Sequence, residues 1–101
     1  MIIDINKNKQ HLENFLKSER LEFSIEFKAK CRYNYSNSLN NVMVTIDEHF
    51  NISIDEDIYS IDSSIYTFEN NTLGIIKNEC IAEIFIDHSY HKYKLVRSLR
   101  R

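Results

Sequence analysis

Proline and tryptophan are absent from this 101-residue chain, and glycine occurs only once, at Gly74. A single glycine excludes the glycine-rich loops that hold phosphate groups in nucleotide-binding proteins. No apolar run approaches the roughly 20 residues that a membrane-spanning helix needs, and the opening MIIDINKNK lacks the pattern of a signal peptide. The sequence therefore predicts a cytoplasmic protein with no membrane partner.

Positive charge is missing from the middle of the chain. None of the thirteen Lys and Arg residues lies between Tyr33 and Lys77. Residues 34–76, the central acidic segment, carry a net charge of −7, whereas residues 1–33 carry +2 and residues 77–101 carry +3. The acids of this segment are Asp47, Glu48, Asp55, Glu56, Asp57, Asp62 and Glu69. A soluble surface usually interleaves both signs, so a field of one sign suggests that it attracts a partner.

Length and composition indicate one ordinary globular domain that spans residues 1–101, with 43% hydrophobic and 28% charged residues. Alanine, glycine and proline together number three, while Ile, Asn, Lys and Tyr are frequent. The frequent residues have AT-rich codons and the scarce ones GC-rich codons. The composition therefore predicts a low-GC source, either a bacterium or a phage or plasmid that lives in one.

The first third of the chain predicts a helix followed by a long strand. Apolar residues at helical spacing indicate a helix over residues 7–19, which Asn6 or Asn8 would cap. Apolar and polar residues then alternate without a break over residues 21–33. This alternation predicts a strand with one buried face.

Two short alternating runs, residues 42–46 and 50–54, predict a β-hairpin. If both apolar sets face the core, Ile46 must lie opposite Phe50, because a slip of one residue would turn one set outward. This register leaves residues 47–49 as a three-residue hairpin loop.

The remaining sequence predicts a meander. Residues 55–62 favour a turn or a single helical turn, and a strand follows over residues 65–69. We expect two-residue turns at Asn70-Asn71, Asn78-Glu79 and His88-Ser89, because together they keep one apolar face continuous. The expected opposite pairs are Phe68 with Leu73, Tyr66 with Ile75, Ile75 with Ala82, and Leu73 with Ile84.

These elements predict an α+β fold, in which an N-terminal helix packs on an antiparallel sheet of about six strands that ends in a C-terminal β-meander. The third turn would place Glu83 opposite Lys94 on the outer face. The same face would carry four apolar residues, Ile76, Ile81, Phe85 and Val96. The helix covers only one face, so either the long first strand covers this patch or the patch contacts the target or a second copy in a homodimer.

No complete motif for metal binding or catalysis is present. Glu26 and Lys28 form the Glu-x-Lys of one nuclease site, but the preceding element is a helix and lacks the Asp that such a site needs for its metal. A calcium loop that starts at Asp55 would need a Gly at position 60 and a closing Glu at position 66, and the sequence has neither. His88 and His91 fall on opposite faces of the predicted hairpin, so they cannot form half of a zinc site.

The two cysteines, Cys31 and Cys80, are far apart in apolar alternations, which predicts buried and reduced thiols rather than a reactive nucleophile. With no metal site, phosphate loop or nucleophile in the sequence, we expect a protein without enzymatic activity and without a cofactor.

A stoichiometric binding protein is the function that these observations favour. The seven acids predict a partner-binding surface whose carboxylates would occupy a basic groove built for phosphates. We therefore expect an inhibitor of a host nucleic-acid enzyme. It would resemble in kind, though not in sequence, the phage-encoded anti-restriction and anti-CRISPR proteins that mimic nucleic acid.

Two alternatives remain. An immunity protein that neutralises a basic nuclease toxin would use the same charge complementarity. A small nucleic-acid-binding regulator would instead use Lys28, Lys30, Arg32 and the basic residues 92–101, with tyrosines that stack on bases. The net charge of only +3 over residues 77–101 disfavours direct nucleic-acid binding.

Overall fold

The computed structural model describes residues 2–87, and it has the predicted α+β fold. Within this range the sheet has seven strands rather than about six, because the segment expected to be a turn contains a short strand. The elements are α1 (Ile5–Glu19), β1 (Glu26–Tyr33), β2 (Asn40–Ile46), β3 (Ile52–Ile54), β4 (Asp57–Tyr59), β5 (Ile65–Glu69), β6 (Thr72–Lys77) and β7 (Cys80–Ile86).

Helix α1 begins two residues earlier than predicted because Asp4 caps it. The Asp4 carboxylate accepts a hydrogen bond from the backbone N–H of Lys7 at 3.1 Å, as N-cap side chains do. The predicted caps, Asn6 and Asn8, are wrong because both residues lie inside the helix.

Strand β1 is shorter than the predicted strand over residues 21–33. Ser24 has a φ of 65°, a left-handed conformation that a strand cannot continue through. Its backbone N–H donates to the Ile46 carbonyl at 2.7 Å, outside the β1–β2 ladder. Beyond this kink the predicted alternation is confirmed, and the inward residues Phe27, Ala29 and Cys31 are fully buried.

All seven strands form one antiparallel sheet in the order β4-β3-β2-β1-β7-β6-β5. Strand β1 is central and pairs with β2 and β7, so it lies in the sheet and does not cover the outer apolar patch. Strand β7 has β1 and β6 as neighbours, which places Glu83 opposite Arg32 and Gly74. The predicted partner of Glu83, Lys94, and the turn at 88–89 lie outside the described residues.

The connection between β2 and β3 has five residues, 47–51, instead of the three predicted. Ile46 lies opposite Ile52 rather than Phe50. The carboxylate of Asp47 accepts two backbone N–H groups of the loop at 2.9 Å each, and Phe50 adopts a φ of 65°. A shift of two residues preserves the inward face, so the apolar residues of both strands still reach the core.

The meander is confirmed as far as β7. Strand β5 has the predicted bounds, and both asparagine turns form. Asn70, Asn71 and Asn78 have φ values of 52°, 63° and 56°, a conformation that asparagine tolerates better than most residues. All four expected pairs form: Phe68 with Leu73, Tyr66 with Ile75, Ile75 with Ala82, and Leu73 with Ile84.

The sheet curls until its two edge strands, β4 and β5, approach each other. The Tyr66 hydroxyl on β5 lies 2.7 Å from the Tyr59 carbonyl on β4 and 3.2 Å from the Phe50 carbonyl, and it donates to this pair of oxygens. Helix α1 packs inside the curl, where the Phe15 ring lies 6.0 Å from the Phe68 ring. A side chain, rather than a backbone ladder, thus joins the two edge strands.

Candidate partner-binding surfaces

Two of the seven acids in the central acidic segment are structural. Asp47 orders the β2–β3 loop as described above. Asp55 has a φ of 52°, and its carboxylate accepts the Met43 N–H at 2.9 Å while its own N–H donates to the Met43 carbonyl at 2.8 Å. Both carboxylates therefore stabilise turns. From the sequence, these two acids could not be distinguished from the acids predicted to bind a partner.

The other five acids are exposed: Glu48, Glu56, Asp57, Asp62 and Glu69. Within residues 2–87 none of the seven forms an ion pair with a Lys or Arg, and the Glu48 carboxylate lies 3.8 Å from His49 Nε2. The structure therefore leaves these charges without a neutralising base in the part of the chain that it describes.

Three of the exposed acids lie at the two ends of β3. Glu48 is in the loop before this strand, and Glu56 and Asp57 follow it. Strand β3 has three residues and spans roughly 10 Å, which is close to the Debye length of about 8 Å at physiological salt. Charges at the two ends can therefore act together on an approaching partner.

An exposed isoleucine lies within this acidic surface. Ile58 is the middle residue of the edge strand β4, and it is 61% exposed. It follows Glu56 and Asp57 directly in the chain. An exposed apolar side chain that follows two exposed acids in the chain offers a partner both a small area of buried surface and a charge preference. We call Glu48, Glu56, Asp57, Ile58 and Asp62 the acidic surface.

A groove with a volume of about 530 Å³ lies on the outer face of β1, β5, β6 and β7. It is lined by Ile76, Ile81 and Phe85, which are three of the four residues of the predicted apolar patch. The fourth, Val96, lies outside the described residues. Gly74 also lines the groove, and a Cβ atom at this position would collide with Thr67 Oγ1, so glycine leaves room for the Thr67 side chain on the neighbouring strand. We call this feature the outer groove.

Arg32 lies beside the outer groove but its charge is already neutralised. Its Nε donates to Glu83 Oε1 at 2.7 Å, and its guanidinium carbon lies 5.5 Å from the centre of the Phe85 ring and 5.9 Å from that of Tyr35. Of the three bases that a nucleic-acid-binding regulator would use on β1, only Lys28 and Lys30 remain without this pairing.

A polar cluster that the sequence did not predict lies at the end of the curled sheet. The phenol groups of Tyr33 on β1 and Tyr59 on β4 interact with each other, and Lys77 Nζ lies 5.5 Å from the centre of the Tyr59 ring. Burial raises the pKa of both tyrosines above the usual range. No sequence signal marks this pair, because β1 and β4 are neighbours neither in the chain nor in the sheet.

Both cysteines are free thiols, but only Cys31 is buried, whereas Cys80 is half-buried. The prediction of two buried thiols is therefore wrong for Cys80, which lies at the end of β7 next to a turn. Burial raises the pKa of Cys31, which keeps this side chain in the unreactive thiol form.

Comparisons of the chain with protein-family models, with curated proteins and with solved structures gave no match. Across residues 2–87 no helix is long and apolar enough to cross a membrane, and no group of three or more His, Cys, Asp or Glu is placed to hold a metal ion.

Proposed function

We propose that this chain is a non-enzymatic inhibitor that binds a basic protein through its acidic surface. The observation that carries this proposal is the set of exposed carboxylates of the acidic surface, with which no Lys or Arg of residues 2–87 forms an ion pair. Unbalanced charge of one sign costs some stability through self-repulsion. Its presence is best explained by a basic surface that meets it.

The proposed target is a host nucleic-acid enzyme, because such enzymes carry basic grooves that bind phosphates. In its most specific form, the protein is a phage or mobile-element anti-defence protein of the anti-restriction or anti-CRISPR kind, acting in the host cytoplasm. An immunity protein against a basic nuclease toxin would bind by the same physical means.

The charges and the apolar residue of the acidic surface have different roles in this proposal. Exposed carboxylates mainly raise the association rate, and salt screens their effect. Ile58 would be buried on binding and would mainly slow dissociation. The proposal therefore predicts a fast, salt-sensitive association with a partner that presents basic residues around an apolar contact.

The test compares two variants of equal charge change. One variant reverses Glu48, Glu56 and Asp62 to Lys on the acidic surface. The control reverses Glu13, Glu22 and Glu26 to Lys, three acids that are also exposed but lie outside the central acidic segment. Asp47 and Asp55 are left intact in both variants because their carboxylates stabilise turns.

Parent and variants are used to capture proteins from a low-GC bacterial lysate, and the partner is identified by mass spectrometry. Association rates are then measured at low and at physiological salt. We expect the acidic-surface variant to associate at least roughly tenfold more slowly at low salt, with a flatter salt dependence, and the control to behave like the parent.

Equal association of the two variants would contradict the proposal and would leave solubility as the only role of the acidic surface. Salt-dependent binding of the parent to bare DNA or RNA, lost on changing Lys28 and Lys30 to Gln, would instead support the nucleic-acid-binding regulator.

A further inference from the structure

The outer groove exposes an apolar surface for which the described part of the chain provides no cover. Ile76 and Ile81 lie directly opposite each other on β6 and β7, and Phe85 follows on the same face of β7. Strand β1, the one segment expected to cover this face, is paired within the sheet. A half-buried apolar floor with a polar rim is typical of a docking surface.

The chain leaves β7 beside this groove. Strand β7 ends at Ile86, one residue beyond Phe85, and it runs toward the same end of the sheet as the β5–β6 turn. Glu69 and Thr72, which flank that turn, line the groove at this end. Fourteen residues, 88–101, follow Asp87. At roughly 3.3 Å per residue they can reach about 45 Å, much farther than the groove requires.

The charge of this segment is opposite to that of the rest of the chain. Residues 88–101 contain five Lys and Arg and no Asp or Glu, a net of +5. Residues 1–87 contain eight Lys and Arg against fifteen Asp and Glu, a net of −7. In the groove, Glu69 is exposed and has no Lys or Arg partner among residues 2–87. The segment also carries apolar residues, Leu95, Val96 and Leu99, for an apolar floor.

We propose that the outer groove binds residues 88–101 of the same chain, with the apolar side chains of that segment on Ile76, Ile81 and Phe85 and a base near Glu69. Tethering favours this occupant over a separate molecule because it raises the effective concentration to the order of mM. The proposal goes beyond the proposed function, since the groove includes no residue of the acidic surface and its test needs no partner.

The first test uses the full chain and the backbone N–H of Gly74 as a reporter by NMR. Gly74 is the only glycine and lies in the groove, so its signal is easy to assign. One variant changes Lys94, Arg97 and Arg100 to Gln. The control makes the same charge change on α1, at Lys7, Lys9 and Lys17.

We expect the signal of Gly74 to shift in the first variant and not in the control. The chemical shift of Gly74 in this variant should approach the value that the parent has in about 1 M salt, where charges are screened beyond about 3 Å. The proposal would be overturned if the chemical shift of Gly74 were the same in the first variant as in the parent. It would also be overturned if the control variant changed this shift equally.

The second test is zero-length cross-linking of lysines to carboxylates in the full chain. We expect Lys92 or Lys94 to link to Glu69 within a monomer, at a yield that does not depend on protein concentration. Glu69→Gln should abolish this product. Cross-links that form only in dimers would overturn the proposal and assign the groove to a second copy. Cross-links to Glu56 and Asp62 at the same yield as to Glu69 would also overturn it, because they would show unspecific attraction.

Discussion

Asn8 of the helix closes the free edge of β5 at Tyr66. Its Oδ1 accepts the backbone N–H of Tyr66 at 2.8 Å, while its Nδ2 donates to the carbonyls of Ile61 at 2.9 Å and Ser64 at 2.8 Å. Asn8 is only 2% exposed. One helical side chain thus bonds to three backbone groups of the 61–66 segment and ties α1 to the edge of the sheet.

Replacing Asn8 by Ala should lower the free energy of unfolding by about 3 kcal/mol or more, because it leaves backbone groups near α1 without partners. The measurement is urea denaturation. Asn14→Ala is the matched control, since Asn14 is exposed on the same helix, and it should change stability by less than about 0.5 kcal/mol. Equal effects of the two substitutions would show that the Asn8 bonds are not structural.

The role of Asn8 illustrates what the sequence could not predict. Its pattern suggested an N-cap, a local role, but its actual partners are more than fifty residues away. The order of the strands could not be predicted either, because no local sequence pattern indicates that β1 lies between β2 and β7. Closure of the sheet by the Tyr66 hydroxyl depends on that order and was missed for the same reason.

The features that were predicted correctly are local. The β5–β6 and β6–β7 registers follow from alternation together with turn residues that accept a positive φ, such as Asn71 and Asn78. The acidic surface was only half predictable. Composition identified the acids, but the bonds that Asp47 and Asp55 make to nearby backbone were not foreseen. A short polar side chain that bonds the backbone two residues ahead is a known turn signal, and it could have identified Asp47.

Asp55 and Glu56 should respond differently to the same charge reversal. Asp55→Lys removes the carboxylate that accepts the Met43 N–H, so we expect a loss of about 1 to 2 kcal/mol in the free energy of unfolding. Glu56→Lys, one residue away, changes the charge equally but removes no hydrogen bond to the backbone. Chemical denaturation of the two variants measures the free energy of unfolding of each, and their difference gives the contribution of the hydrogen bond apart from that of the charge. Similar losses for both would mean that charge alone determines stability at this turn.

The two thiols should differ in reactivity in the native protein. Cys31 is fully buried and its pKa is raised by burial, whereas Cys80 is half-buried. A thiol reagent in moderate excess at pH 8 should therefore modify Cys80 first, and Cys31 at a rate limited by opening of the fold. Peptide mapping after timed quenching measures both rates. Cys80→Ser should leave a chain that reacts slowly until denaturant is added, and rapid labelling of that variant would contradict the burial of Cys31.

Stability should fall at alkaline pH because of Tyr66, which is buried, and Tyr33, which is half-buried. Burial raises the pKa of Tyr66 and of Tyr33 above the usual value of about 10, so the folded state holds their phenols neutral while the unfolded state ionises them. The stabilisation is therefore fully present below about pH 10 and is lost as pH rises beyond it, by up to about 1.4 kcal/mol per pH unit for each tyrosine.

Urea denaturation between pH 8 and 11.5 tests this expectation with two conservative variants. Tyr66→Phe should cost about 1 kcal/mol at pH 8, because the bond to the Tyr59 carbonyl is lost, and should reduce the alkaline slope. Tyr35→Phe is the control, since Tyr35 is 64% exposed and its substitution should leave the slope unchanged. If Tyr66→Phe and the parent lose stability equally steeply above pH 10, the Tyr66 phenol does not titrate with unfolding, and equal stability of the two at pH 8 would show that its bond to the β4 edge does not hold the curled sheet closed.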